Sequence, residues 1–238
     1  MDENGKWIRI YPIPYRELLD DQKYLKYQWL SVDIEPNKSD VRPESYKVNT
    51  STIGILEKIG PHNNWYERKN IVYKSDIYSD TKQIIELAHS NKLSLATFKP
   101  REFISIECIN NGKDEWSRAE LRYAALASKT LFDDGYKPMP KIPFDFRMTF
   151  ADKHGNKSSM NILDWEIAQL YLKTRAGSTK EEACRKVKEK IEGFFEETDL
   201  HLFLGTTKNF HLWASNPFTI IGLFYPKITK QGFLTFDF

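Results

Sequence analysis

Residues Asn161–Phe195 read NILDWEIAQLYLKTRAGSTKEEACRKVKEKIEGFF, two helices and a turn with a stop or start signal at every joint. Asn161 is a good N-cap, and Asp164 follows at the position of a capping-box acid. Asp164 and Glu166 both fall in the first turn, where the helix dipole favours negative charge. Leu163, Ile167, Leu170 and Tyr171 make one apolar face. Lys173 and Arg175 close the helix and Gly177 ends it. Ser178 then caps a second helix, with Glu181 completing its box, and Cys184, Val187, Ile191, Phe194 and Phe195 form its buried stripe. Glu181–Arg185, Glu182–Lys186 and Lys188–Glu192 are opposite charges at four-residue spacing, so the polar face pairs with itself. A helix-turn-helix DNA reader does not fit. The glycine its turn wants four residues after Ala168 is Leu172, and acids alternate with bases where a recognition helix needs free donors.

Strands flank the pair on both sides. Residues 144–150 (FDFRMTF) and 158–162 (SSMNI) surround a Gly155-Asn156 turn and predict a hairpin. Residues 200–205 (LHLFLG) and 218–225 (FTIIGLFY) follow the helices. The order β-β-α-α-β-β predicts an α+β fold with a mainly antiparallel sheet, the C-terminal unit carrying the helical hairpin. Upstream, Trp7–Tyr11 alternates as a strand that Pro12 and Pro14 must end. Thr81–Asn91 and Glu115–Leu131 read as helices, and 93–98 and 102–109 as strands. Residues 132–143 (FDDGYKPMPKIP) hold three prolines and a glycine, which neither helix nor central strand accepts. This predicts an N-terminal α+β domain over 1–131, a proline-rich linker over 132–143 and a C-terminal α+β domain over 144–238.

Charge and composition narrow the function. Before Pro140 there are 21 basic and 21 acidic residues and after it 14 and 12, so neither half is the cationic block that nonspecific nucleic-acid coating requires. No apolar run is long enough to span a bilayer, and the first residues, MDENGKWIRI, lack a signal peptide's pattern. The expectation is a cytoplasmic chain with no membrane contact. Two distant cysteines, Cys108 and Cys184, fit buried reduced thiols and cannot make a four-cysteine zinc site.

Few residues point to chemistry. Asp164 and Glu166 are two apart on a helix, about 200° around it, so they diverge and cannot chelate one ion alone. Of five histidines none has metal-motif spacing. His201 alternates against Leu200, Leu202 and Leu204, so it should share a face with Phe203, where Asp199 could orient it as a general base. Residues 205–208 (GTTK) offer amides and hydroxyls to a phosphate, without the P-loop pattern. Arginine interleaved with aromatics is more suggestive: Arg9, Tyr11 and Arg16, then Arg42, Tyr46, Trp65 and Arg68. Such sets stack bases and hold phosphates, anchor protein interfaces, or fill cores.

Taken together, Arg9-x-Tyr11-Pro12-x-Pro14-x-Arg16, Arg42-Pro43-Glu44-Ser45-Tyr46, Asp164-Trp165-Glu166-Ile167 and Ile221-Gly222-x-Phe224-Tyr225-Pro226 resemble a widespread family of uncharacterised prokaryotic proteins. The resemblance covers nearly the whole chain and implies a setting near mobile elements and antiviral-defence genes. Its members often have cysteines in the hairpin before the DWE helix, where this chain has only His154. The resulting expectation is an accessory component of a multi-subunit assembly that binds nucleic acid, a partner protein or both, with no cofactor. The alternative is a metal-dependent hydrolase or nuclease using Glu166 and His201 with Asp164, which alone would call for a divalent metal.

Overall fold

The computed structural model describes residues 1–13, 15, 18–112, 116–118, 120 and 141–228. Its centre is a seven-stranded mixed sheet ordered β6-β7-β11-β12-β10-β9-β8. The strands are β6 (Ile77–Tyr78), β7 (Leu95–Phe98), β8 (Glu102–Asn110), β9 (Phe144–Ala151), β10 (Lys157–Ile162), β11 (His201–Thr206) and β12 (Phe218–Phe224). Only β6/β7 and β10/β12 run parallel among these pairs, so the class is α+β and mainly antiparallel, as the element order predicts. The β9–β10 hairpin turns at Gly155 (φ 84°), where buried Asp152 accepts the amides of His154 and Asn156, both at 2.9 Å.

Among the described residues three helices cover one face: α2 (Thr81–His89), α3 (Trp165–Arg175) and α4 (Lys180–Glu197). Ile84, Ala88, Ile167, Tyr171, Ala183, Val187 and Ile191 meet Phe98, Ile106, Met148, Phe150, Leu202, Leu204 and Ile220 in one core. The helix joints sit one residue or more from the expected ones. Asp164 is itself the N-cap of α3, its Oδ1 accepting the Glu166 amide at 2.8 Å, while Asn161 stays in β10. Thr179 caps α4 in place of Ser178. Leu163 consequently lies outside the helix and is exposed. Lys186–Glu182 and Lys188–Glu192 pair as expected, but Arg185 takes Glu189, not Glu181.

The N-terminal segment forms two small sheets and a helix. β1 (Arg9–Ile10), β4 (Ser45–Val48) and β3 (Ile34–Pro36) make one, and β2 (Gln28–Ser31) pairs with β5 (Gly54–Lys58). Helix α1 (His62–Val72) opens with Asn63, Asn64 and Trp65 all left-handed (φ 49°, 53° and 61°), a costly run for residues with a Cβ. Asn64 anchors it by exchanging two hydrogen bonds with the Lys227 backbone, at 2.7 and 2.8 Å. The run delivers Trp65 to Phe224 and Tyr225, in a second core with Phe203, Val72, Trp7 and Tyr27. This segment therefore packs on the sheet face opposite the helices, over β7, β11 and β12. On β8–β10 the same face carries polar rows, Ser105–Thr149–Ser159 and Glu107–Arg147–Asn161.

Two expectations change here. The break at 132–143 does not separate two sheets, because β8 and β9 on either side of it are adjacent antiparallel strands of one sheet. Proline content marked a connection, and strand pairing closed over it. The helix expected at 115–131 and residues 132–140 of the break lie largely outside the described residues. The cysteines are also not separate thiols: Cys108 of β8 and Cys184 of α4 form a disulfide with Cα atoms 6.3 Å apart. Sequence distance concealed this, since α4 crosses β8 only in the folded chain. The bridge should stabilise the oxidised chain by about 2–4 kcal/mol. Urea titration with and without dithiothreitol should show that difference for the wild type and none for Cys108→Ser.

Candidate functional site

The arginines expected at the surface are internal ties. Arg42 is buried and grips Asp40 through two bonds, Nε to Oδ1 at 2.9 Å and Nη2 to Oδ2 at 2.6 Å. Its Nη1 donates to the Thr206 carbonyl at 2.5 Å, reaching from the N-terminal segment to the end of β11. The Arg42 hydrogen bonds hold the Asp40 carboxyl well below the usual carboxylate range. Arg9 donates to Ser94 Oγ at 2.5 Å and Ser94 O at 3.1 Å, and Glu44 accepts the Ser94 amide at 2.9 Å and its hydroxyl. Burial first, then the Arg42 charge, lowers the Arg9 guanidinium to about 10. Arg68 donates Nε and Nη2 to the Ile59 carbonyl while its Cζ lies 3.9 Å from the Tyr27 ring centre and 4.9 Å from that of Trp65. Trp65 belongs to the second core. Tyr46 is half-buried, Tyr11 is 65% exposed, and Arg16 lies outside the described residues.

The three residues named for catalysis are placed in separate roles. Asp164 is buried; Oδ1 caps α3 and Oδ2 accepts the Leu223 amide at 3.1 Å. Glu166 is half exposed and pairs with Lys26 at 2.6 Å. His201 does share the Phe203 face, under Tyr73 and Phe224, but its Nδ1 donates to the Asp199 backbone carbonyl at 3.0 Å. The Asp199 carboxylate is taken by Lys99 and by Tyr73 Oη at 2.9 Å. Among the described residues no three His, Cys, Asp or Glu side chains converge as a metal donor set.

Two surface cavities are better placed to bind something. One, of about 320 Å³, lies between α3, α4 and the end of β12, with Trp165, Glu166, Lys173, Lys190, Phe194 and Tyr225 in its wall. Trp165, which no helix face in the sequence required, is 54% exposed there. The other, of about 360 Å³, lies where the polar rows of β9 and β10 meet the 207–217 loop. Leu163 and Phe210 form part of its wall, 63% and 47% exposed. Trp213, 68% exposed, stands edge-on to Phe210 at 5.1 Å. Nothing in the sequence marks Arg147, and only the density of aromatics at 210–213 marks this loop.

The model of the domain of unknown function DUF8757 matches residues 78–237, and that of DUF8758 matches residues 1–74. The chain belongs to the DUF8757 family. No curated protein and no solved structure matches it. The junction at 74–78 coincides with the step from the small N-terminal sheets to the seven-stranded sheet. The DUF8757 part thus begins where β6 enters, and the DUF8758 part clamps it, Arg9 and Glu44 at Ser94 just before β7 and Arg42 at Thr206, the end of β11.

Two outcomes follow for the clamp. Arg42→Met leaves the Asp40 carboxylate buried and unpaired, and should cost about 3–5 kcal/mol in urea unfolding. Asp40→Asn added to Arg42→Met should restore most of it. His201 and His211 are both held below the ordinary histidine pKa. Burial is the first cause for each, followed for His211 by Arg42, with Arg9 adding and Glu44 and Asp40 opposing. Asn91 Nδ2 donates to Val41 O, so Asn91 Oδ1 accepts from His211 Nε2 at 2.9 Å and the buried Nδ1 has no partner. The folded chain therefore binds fewer protons than the unfolded one in mild acid. The histidine contribution should be complete above about pH 6.5 and decline below it. His211→Gln, whose amide can still donate to Asn91, should flatten that decline in thermal melts across pH 5–8.

Proposed function

We propose that this chain is a non-catalytic accessory component that binds a partner polypeptide through the Leu163–Phe210–Trp213 surface. The observation that carries this reading is where the functional groups are spent. The guanidiniums of Arg9, Arg42 and Arg68 are committed to internal bonds, whereas large apolar side chains stand exposed around a cavity with a polar wall. Exposed Trp and Phe beside an Arg is the composition of interface hot spots. No helix among the described residues is long and apolar enough to cross a membrane. What supports an antiviral-defence setting is the resemblance of the four motifs alone. The motifs themselves serve the clamp and the joint between α3 and β12.

Trp213→Ala and Phe210→Ala should each change stability by less than about 0.5 kcal/mol, because both rings are exposed. Each should weaken capture of the cognate partner by about 30-fold or more, the cost of removing an interface hot spot. Capture is read by affinity purification from the source cell with wild type and variants in parallel. Salt-dependent RNA or DNA binding that both variants retain, with no partner lost, would reject a protein interface in favour of nucleic acid.

A further inference from the structure

We propose that the cavity beside Arg147 receives the C-terminal carboxylate of a peptide whose last side chain is apolar. This rests on the polypeptide-partner reading and names what that partner presents. Arg147 Nε donates to Asn161 Oδ1 at 3.0 Å, and its two terminal nitrogens have no partner among the described residues. Asn161 Oδ1 is thus occupied, leaving its amide nitrogen. Asn216 Oδ1 accepts the Phe218 amide at 3.1 Å, which again leaves only a donor. Ser159 Oγ accepts from Thr149 Oγ1 at 3.2 Å, so its own proton is unspent. The Thr207 hydroxyl is buried in the wall with no hydrogen-bond partner among the described residues. Among the described residues no Asp or Glu lines the cavity.

Each of these free polar ends can donate and one is a guanidinium, while Glu107, the cross-strand neighbour of Arg147, stays outside the cavity wall. That is a receptor for an anion, and Arg is the side chain whose fork matches a carboxylate. The remaining wall, Leu163, Phe210, Pro217 and Phe218 among it, is apolar. A free phosphate leaves that wall unused. A chain end uses both halves, its carboxylate on the donors and its last side chain against Leu163 and Phe210, a known mode of terminal recognition. A volume of about 360 Å³ suits a ligand of that size.

The probes are acetyl-Gly-Leu and acetyl-Gly-Phe as free acids, their C-terminal amides, and inorganic phosphate, titrated against the full chain by calorimetry and amide NMR shifts. The free acids should bind and shift the 207–217 amides, with the carboxamides about ten- to a hundred-fold weaker, the worth of a charge-assisted pair. Arg147→Gln should lose the same factor. Asn216→Asp keeps the bond to the Phe218 amide and adds a repelling charge, so it should lose binding while the melting temperature stays near wild type. Equal affinity for acids and amides, indifference to Arg147→Gln and Asn216→Asp, or binding of phosphate alone would each overturn the proposal. Partner capture that needs Trp213 but not Arg147 overturns it while leaving the interface reading intact. Acids that bind through Arg147 with no partner lost in Trp213→Ala have the opposite meaning.

Discussion

A guanidinium taken out of water must find a partner for its charge and its donors, and Arg42 sets the relation between the two parts of this chain by that requirement. Asp40 neutralises it bidentately, and its remaining nitrogen is satisfied only by the Thr206 carbonyl at the end of β11. Separating the parts would strand that donor, and would also strip Arg9 and Glu44 from Ser94 and Trp7 Nε1 from Thr97. Such a network is costly when half made and rigid when complete. The N-terminal segment is therefore a fitted cover for one half of a sheet face.

Asp164 does a comparable job from the other direction. One oxygen starts α3, and the other holds the Leu223 amide. β12 needs that partner because β10, its parallel neighbour on that side, ends at Ile162, while on the other side Ile221 is an extra residue opposite the Phe203–Leu204 step. Gly222 leaves room at the same place: a Cβ would come within 3.1 Å of the Phe203 ring, which would have to give way. Trp65 then closes over Phe224 and Tyr225 from a left-handed turn. The Asp-Trp-Glu and Ile-Gly-x-Phe-Tyr motifs, far apart in the chain, are thus two sides of one joint.

With the covered half rigid, the uncovered half is where binding groups accumulate. The polar rows of β9 and β10, the 207–217 loop and the exposed Leu163 meet at the edge of the cover. Leu163 is exposed only because α3 begins at Trp165. A cap one turn earlier would have folded it into the helix face, as its spacing suggested.

Periodicity and capping residues in the chain were enough to establish the helical hairpin, the β9–β10 turn, the α+β class and the side of β11 on which His201 lies. These are local matters, decided by side-chain alternation, dipole-favouring acids and turn geometry within a few residues. The bonds that Arg9 and Arg42 make across the chain were not local. Arg9, Arg42 and Arg68 look alike whether they face water or a buried carbonyl, and the partners that settle it are up to 164 residues away. The same holds for the bond between Cys108 and Cys184, for the sheet that closes across residues 132–143, and for Arg147, whose free donors gain meaning only beside Asn216 and Thr207. Tertiary structure decided these because a polar group's role depends on what satisfies it, and here that partner came from distant chain.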